Sequence, residues 1–462
     1  MALRKILIAN RGEIAVRIVR AARELGLATV QAASAADRDM LAVRLADTVV
    51  EIGPPQATRS YLNREALLRA AETSGADAIH PGYGIMFLSE DAAFAEMVEQ
   101  AGLVFIGPRP ETIRRMGDKA AARATAAEAG VPTVPGSEGR ITHPDEAAAL
   151  GRDIGFPLML KAAAGGGGRG IRVAPDAAEL ARLFPEASAE ARAAFGDGGL
   201  YLERFIPNAR HVEVQVLGDG VDAIHLYERE CSLQRRRQKL WEEAPAACLD
   251  APTRDALCAS ALRLARQVGY RGAGTLEYLF NAAQGAFHFI EMNTRIQVEH
   301  PVTEMVTGVD LVREMIRVAG GARLAHTQDQ VRLHGHAIEC RINAEDPRQS
   351  FRPAPGTIAA LRVPGGPGVR FDSMLLPGCT VPPFYDSLLG KLIAWDETRP
   401  QALARLRGAL SELAIEGVPT TAALHRALAA APDVVAGRVH TGWLETWLAA
   451  NPLDASVEGA EA

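Results

Sequence analysis

Apolar runs of strand length alternate with helix-periodic stretches along the first quarter of the chain. Ile6-Leu7-Ile8-Ala9 is uniformly apolar and leads through Asn10-Arg11-Gly12-Glu13 into a stretch that places Ile14, Ile18, Val19, Ala22 and Leu25 on one helical face before Gly26. Strands resume at Ala28-Thr29-Val30, Ala78-Ile79 and Val104-Phe105-Ile106; the last two close in the turns His80-Pro81-Gly82-Tyr83-Gly84 and Gly107-Pro108. This alternation predicts a small parallel α/β domain over residues 1–114. The first turn lacks GxGxxG, so a nicotinamide or flavin site has little support there, and Gly12-Glu13 reads as a strand-to-helix turn rather than an anion site.

Met116-Gly117-Asp118-Lys119 opens an Ala-rich helix that ends near Gly130, and Val131-Pro132-Thr133-Val134-Pro135-Gly136 has the composition of a hinge. Phe156 to Lys161 and Ile171 to Val173 are strands, separated by the Gly-rich run Ala162 to Gly170. A Walker loop needs Gly-Lys-Ser/Thr before a helix, and neither follows. Between two strands, Gly165, Gly166, Gly167 and Gly168 instead form a flap whose bare N–H groups can close over phosphates, with Lys161 as the point charge. In the strand from Leu200 to Ile206, Glu203 and the neighbouring backbone are placed to read an adenine edge. Val212-Glu213-Val214-Gln215-Val216 alternates as a half-buried strand does. The charge-dense stretch from Glu228 to Lys239, including Arg235, Arg236 and Arg237, reads as a solvated face or a contact for a small anion.

The hairpin from Gly272 to Glu291 carries the sharpest chemistry. Past Ile290 the chain reads Glu291-Met292-Asn293-Thr294-Arg295-Ile296-Gln297-Val298-Glu299-His300, which sets five polar or charged groups on one side of a strand. Burying such a face costs several kcal/mol unless each group finds a partner. Pairing Phe280 with Ala286 across the turn puts Glu291 opposite Thr275 and Glu277 diagonal to Glu291 on the same face, within ~7–8 Å. Two carboxylates so placed are either solvated or share a cation. With no His or Cys expected beside them, hard oxygen ligands favour Mg²⁺ or Mn²⁺ over zinc. The alternation is expected to hold only to about Asn293 and to give way to a loop. Beyond a helix at 311–318, Gly/Pro turns and strands starting near His334 predict an antiparallel third region over residues 331–450, with a helix from about Gln401 and a polar tail over 451–462.

Length and composition narrow the class. A chain of 462 residues implies roughly three domains. A net charge of −6 argues against nucleic acid as a partner. Five cysteines without a CxxC pair (Cys231, Cys248, Cys258, Cys340, Cys379) predict neither a disulfide framework nor structural zinc. No signal peptide or membrane span is legible, so a cytoplasmic protein is expected.

Taken in order, His80-Pro-Gly-Tyr-Gly84, Met116-Gly-Asp-Lys119, Arg271-Gly-Ala-Gly-Thr275, the segment Glu291 to Pro301, Glu339-Cys-Arg-Ile-Asn-Ala-Glu345 and Tyr385-Asp-Ser387 resemble biotin carboxylase, over nearly the whole chain. The resemblance implies an α/β and α+β multidomain fold. Its parts are an N-terminal Rossmann-like (pre-ATP-grasp) domain at 1–114, an ATP-grasp domain at 115–330 with a mobile lid over about 133–206, and a C-terminal antiparallel-sheet α+β domain at 331–450. It implies ATP held by Lys119, Lys161, the flap glycines, Glu203, Arg204, Ile206, His211, Gln234, Leu279 and the position of Arg237, together with Glu277 and Glu291. Glu277, Glu291 and Asn293 match metal ligands for Mg²⁺ or Mn²⁺, two ions being expected. Arg295, Gln297 and the Val298 backbone match the bicarbonate site, Lys239 points at it, Glu299 matches the base, Arg341 matches the group holding the biotin enolate, and Tyr83 lies with the bicarbonate and biotin contacts.

No Ala-Met-Lys-Met signature is present, so biotin is expected on a separate biotin carboxyl carrier protein, with a separate carboxyltransferase and a homodimer by family analogy. Four positions depart from the family pattern: Ala163-Ala164 where Ser-Gly is common, Arg237 where a His often meets the ribose, an apparent insertion at Ile85-Met86, and Ala33 before Ser34. They keep open a divergent paralogue or a regulatory subunit of low activity; another ATP-grasp carboxylate–amine ligase is the further alternative.

Overall fold

The computed structural model describes residues 3–84, 87–137, 139–163 and 171–453. The flap residues Gly165 to Gly168, Ala164, the Ile85-Met86 pair and the tail from 454 lie outside the described residues. The chain opens with a five-stranded parallel sheet of β1 (Lys5–Ile8), β2 (Ala28–Ser34), β3 (Thr48–Gly53), β4 (Ala78–His80) and β5 (Val104–Phe105), in the order β3-β2-β1-β4-β5. β1 lies at its centre, and Ile6, Leu7 and Ile8 are wholly buried because helices cover both faces. β3 is an addition to the predicted elements: its outer residues are half exposed, which blurs the apolar run.

A second, three-stranded sheet forms from β6 (Leu158–Ala162), β7 (Arg172–Ala174) and β8 (Leu200–Arg204), ordered β7-β6-β8 and backed by helices Pro144–Ile154 and Ala177–Phe195. Leu158, Leu160, Leu180, Phe184, Leu200 and Leu202 form a core drawn only from residues 141–202. This unit therefore carries its own apolar packing.

The largest sheet has eight strands: β9 (Arg210–Asp219), β10 (Ala223–Arg235), β11 (Gln238–Ala244), β12 (Arg271–Asn281), β13 (Ala286–Asn293), β14 (His336–Asn343), β15 (Val369–Ser373) and β16 (Leu388–Asp396). Their order is β13-β12-β9-β10-β11-β14-β16-β15. The C-terminal strands are antiparallel, as expected, but they extend the central sheet through the β11–β14 pairing instead of forming a separate one.

Two readings of this sheet are corrected. β9 is buried along nine of its ten residues, not half-buried: Val212 and Val214 pack into one apolar cluster while Glu213 and Gln215 are enclosed on the other face. The stretch from Glu228 is a solvated face only at its end, for Glu228, Arg229 and Glu230 are buried in β10 while Arg236, Arg237 and Gln238 are exposed around the turn. That two-residue turn puts both arginines at positive φ (48° and 67°), as a type I′ hairpin demands.

The β12–β13 register also differs from expectation. Asn281 rather than Phe280 pairs with Ala286, and Ile290 is an extra, bulged residue, so Glu277 lies directly opposite Glu291. β13 ends at Asn293 and residues 294–298 form a loop, as the pattern required.

Burial holds His80 down to about 3, His425 to about 4, and His300 well below the ordinary value of 6.5. His425 Nε2 lies 2.8 Å from the Arg341 carbonyl, which it reaches as the neutral Nε2–H tautomer. The unfolded chain takes up these protons near 6.5 and the folded chain does not. Stability is therefore full above about pH 6.5 and falls as pH drops from there toward about 4. His425→Gln, which keeps a donor to that carbonyl, is expected to flatten the fall in urea unfolding measured across this window; an unchanged slope refutes the assignment.

Candidate active site

One pleat row of the central sheet carries charge across four strands. Arg229 on β10 pairs in register with Glu213 on β9, Glu213 with Glu277 on β12, and Glu277 with Glu291 on β13. Directly opposed side chains lie about 5 Å apart at Cβ, so three neighbouring carboxylates repel unless cations enter the row. Arg229, wholly buried, reaches Glu213 at 2.7 Å and also donates to Gln215, Thr275 and Thr303. Lys239, projecting from β11, donates to Glu213 at 2.5 Å, Glu277 at 2.8 Å and Glu299 at 2.7 Å. Burial alone raises the Glu213 carboxyl; Lys239 and Arg229 outweigh it and hold the group well below its ordinary range. Against the same burial penalty the three carboxylates hold Lys239 well above the usual ammonium value.

The row ends less well compensated. Burial first and Glu277 second push the Glu291 carboxyl up, with Lys119 and Lys239 offsetting only part. An opposed pair of carboxylates, Glu277 buried and Glu291 half-buried, one raised by the other, fits a hard divalent cation, whose charge would remove that penalty. The sequence expectation that no His is near is corrected: His211 Nε2 lies 3.2 Å from Glu213 and 3.5 Å from Glu277. Asn293 gives its amide N–H to Glu277 at 3.0 Å, while its oxygen accepts from Arg295 at 3.2 Å.

The loop after β13 supplies the next layer. The Arg295 fork spans Glu90 (2.8 Å), Gln297 (3.1 Å) and Asn293. Glu299, with no exposed side-chain surface, is gripped by Lys239 and, at 2.9 Å, by Arg341 Nη2. Arg341 Nε donates to Glu242 at 2.6 Å, and its carbonyl accepts from Thr421 and His425 at 2.8 Å each. Lys391 donates to the Val298 carbonyl at 2.8 Å and pairs with Glu13, to which the Tyr83 hydroxyl also donates. Gly12-Glu13 thus serves as an internal anchor.

Of the remaining expected residues, Lys161 lies on β6 and Glu203 and Arg204 on β8. Lys161 pairs with Glu203, which also accepts from Arg123 at 2.8 Å, so Glu203 is engaged by two cations. Arg204 donates to the Ile154 carbonyl, Ile206 is buried, and Gln234 donates to the Cys231 carbonyl. Leu279 pairs in register with His211. Lys119, which opens the helix Lys119–Glu128, and Arg237, in the β10–β11 turn, are exposed.

Sequence reasoning missed Glu213, Arg229, Glu90, Glu242 and Lys391. Glu213 had one signal: a carboxylate in an alternating valine strand, which points inward once both faces are covered.

These elements have the composition of an ATP-dependent ligase: a small antiparallel sheet carrying Lys161 and Glu203, paired glutamates in a strand row, and lysines that reach them. Three family models match in order: "Biotin carboxylase, N-terminal domain" over 2–113, "Carbamoyl-phosphate synthase L chain, ATP binding domain" over 118–327, and "Biotin carboxylase C-terminal domain" over 339–446. The chain is 54% identical over 442 residues to a biotin carboxylase of Nostoc, covering 96% of this chain and 98% of that one. It is 52% identical to the chloroplastic biotin carboxylase of Arabidopsis thaliana, covering 95% and 82%. Among solved structures it is similar to the Campylobacter jejuni biotin carboxylase–β,γ-ATP complex (46% identity, TM-score 0.90, covering 96% and 99%). It is also similar to the biotin carboxylase domain dimer of Hydrogenobacter thermophilus 2-oxoglutarate carboxylase with MgADP, ADP and bicarbonate (46%, 0.89, 96% and 98%). The chain belongs to the biotin carboxylase family.

Lys239→Met leaves three buried carboxylates facing one another. It is expected to lower stability by about 3–5 kcal/mol in chemical unfolding, and adding Glu213→Gln should return part of the loss. Parental stability in Lys239→Met would refute the shared role of the lysine.

Proposed function

We propose that this chain carboxylates biotin at the expense of ATP and bicarbonate, the biotin being borne by a separate carrier protein. The observation that carries the reading is Glu299, a fully buried carboxylate clasped by Lys239 and Arg341 and set next in the chain to the Arg295–Gln297 fork. Bicarbonate is a weak nucleophile. Arg295, Gln297 and the Val298 N–H hold it, and Glu299 removes its proton. An oxygen of the resulting carbonate attacks the γ-phosphorus of ATP, ADP leaves, and carboxyphosphate forms. Its C–O bond breaks to give CO₂ and phosphate; phosphate takes the ureido proton of biotin, and the nitrogen then bonds to CO₂. Arg341 holds the enolate oxygen formed in between, with Tyr83 beside the same cavity.

Lys119, Lys161 and the flap glycines bind the phosphates, while Glu203, Arg204, Ile206, His211, Gln234, Arg237 and Leu279 line the nucleoside. This requires ATP to take Lys161 from its present partner Glu203. Glu277 and Glu291, with Asn293 once its oxygen is released from Arg295, would hold Mg²⁺ or Mn²⁺, two ions in all. A bound divalent cation neutralises triphosphate charge. The lid, about residues 133–206, closes over the cleft, excluding water from carboxyphosphate. Three units, 1–114, 115–330 and 331–450, divide this work. Among the described residues no helix is long and apolar enough to cross a membrane, and we place the enzyme in the cytoplasm as a homodimer with a carboxyltransferase partner, as an acetyl-CoA carboxylase-type system requires.

Glu299→Gln is expected to retain ATP binding while biotin carboxylation falls by about 10²-fold or more. The check is bicarbonate-dependent ADP release with and without free biotin alongside a nucleotide-binding titration. Near-parental turnover removes Glu299 as the base, and absence of biotin stimulation in the parent removes the reading itself.

A further inference from the structure

Behind Arg341 lies a second acidic pair that the chemistry above leaves unused. Glu242 on β11 and Glu339 on β14 are direct register partners, and both are wholly buried. Glu339 and Arg341, two residues apart on one strand, share a face. Glu242 spends one oxygen on Arg341 Nε. Its other oxygen, and both oxygens of Glu339, accept no hydrogen bond from any described residue.

Two facing carboxylates with three bare oxygens in the interior are not sustained as two charges. An oxygen pair of this kind bonds only when one member carries a proton. The cations present do not meet the need. Facing Glu242 are Arg341, Lys239, the Glu299 carboxylate and the Cys231 thiol; facing Glu339 are Lys391, Arg341 and again Glu299. Lys391 is committed to the Val298 carbonyl and Glu13, and Lys239 to three other carboxylates.

We propose that Glu242 and Glu339 share a single proton, carried by Glu339, so that ionised Glu242 is the positioning residue for Arg341. The proposal rests on the reading of Arg341 as the holder of the enolate. It explains why the arginine stays aligned while Glu299 changes protonation state: one edge of the guanidinium is tied to Glu242, leaving the other for the reaction. It also explains how Arg341 keeps an attraction for an oxyanion, because a third negative charge beside it would turn the pocket anionic. Burial acts in the same direction on both acids, pushing Glu242 up to about 7 and Glu339 well above the carboxylate range. Glu242 therefore loses its hold on Arg341 as pH falls below about 7.

The test combines infrared spectroscopy with kinetics on the full chain. In D₂O at pH 8 the parent should show the carbonyl stretch of a buried protonated carboxyl. Glu339→Gln should abolish it and keep the parental kcat and pH profile, since Gln imitates the neutral acid. Glu242→Gln should lower kcat for biotin-dependent ADP release by about 10–100-fold with the KM for ATP unchanged, and should remove the limb of the pH profile near 7. A parent without the carboxyl band, a band that survives in Glu339→Gln, or equal losses in the two variants overturns the proposal. Should the parent fail to carboxylate biotin, the functional reading falls while the band still decides the shared proton. Should Glu242→Gln fail to fold, the band and the Glu339→Gln kinetics decide alone.

Discussion

Lys239 is the one described cation that bonds Glu213, Glu277 and Glu299 together, and the active-site sheet depends on that single ammonium. Glu213, Glu277 and Glu299 come from β9, β12 and the loop after β13, and their mutual repulsion in a buried setting would drive these elements apart. A cation on a long flexible stem resolves this as a rigid fork would not, because its three donors can point at three elements at once. Arg229, planar and wholly enclosed, does the complementary task of fixing Glu213 against Gln215, Thr275 and Thr303. The result is a strand row that is highly charged and yet fixed in place.

This arrangement explains why the C-terminal strands continue the central sheet. Arg341 on β14 must meet Glu299, which Lys239 on β11 already holds, and the β11–β14 pairing sets that relation by strand spacing rather than by docking of separate domains. The lid sheet contrasts with it. Its core is its own, and its ties to the helix Lys119–Glu128 include the Arg123–Glu203 ion pair.

Much of this was legible in the sequence. The apolar run at Ile6 to Ala9, the helix after it, the hairpin at Gly272 to Glu291 and the loop beyond Asn293 follow from periodicity and turn residues. Period-two reasoning also brought Glu277 and Glu291 to one face. What it did not reach were groups whose meaning depends on a second layer: Glu213 is a solvent-side residue in a half-covered strand and a site residue in a fully covered one. Arg229 and Glu242 sit in stretches where charge density alone resembles a wetted surface, and only strand order reveals their partners. The β12–β13 register was off by one at the turn and by one again at the bulge, two slips that cancelled in side-chain orientation.

That cancellation shows how the hairpin treats parity. Between Tyr278↔Phe289 and Glu277↔Glu291 the strand spends one residue, Ile290, that pairs with nothing opposite. Were the ladder continued without it, Ile290 would face Glu277, and Glu291 would move to the apolar side with Leu276. The extra residue works as a frame shift in three dimensions. It lets the first half of β13 present Phe289 to a greasy core, and the second half present a carboxylate to the cleft, within one continuous strand.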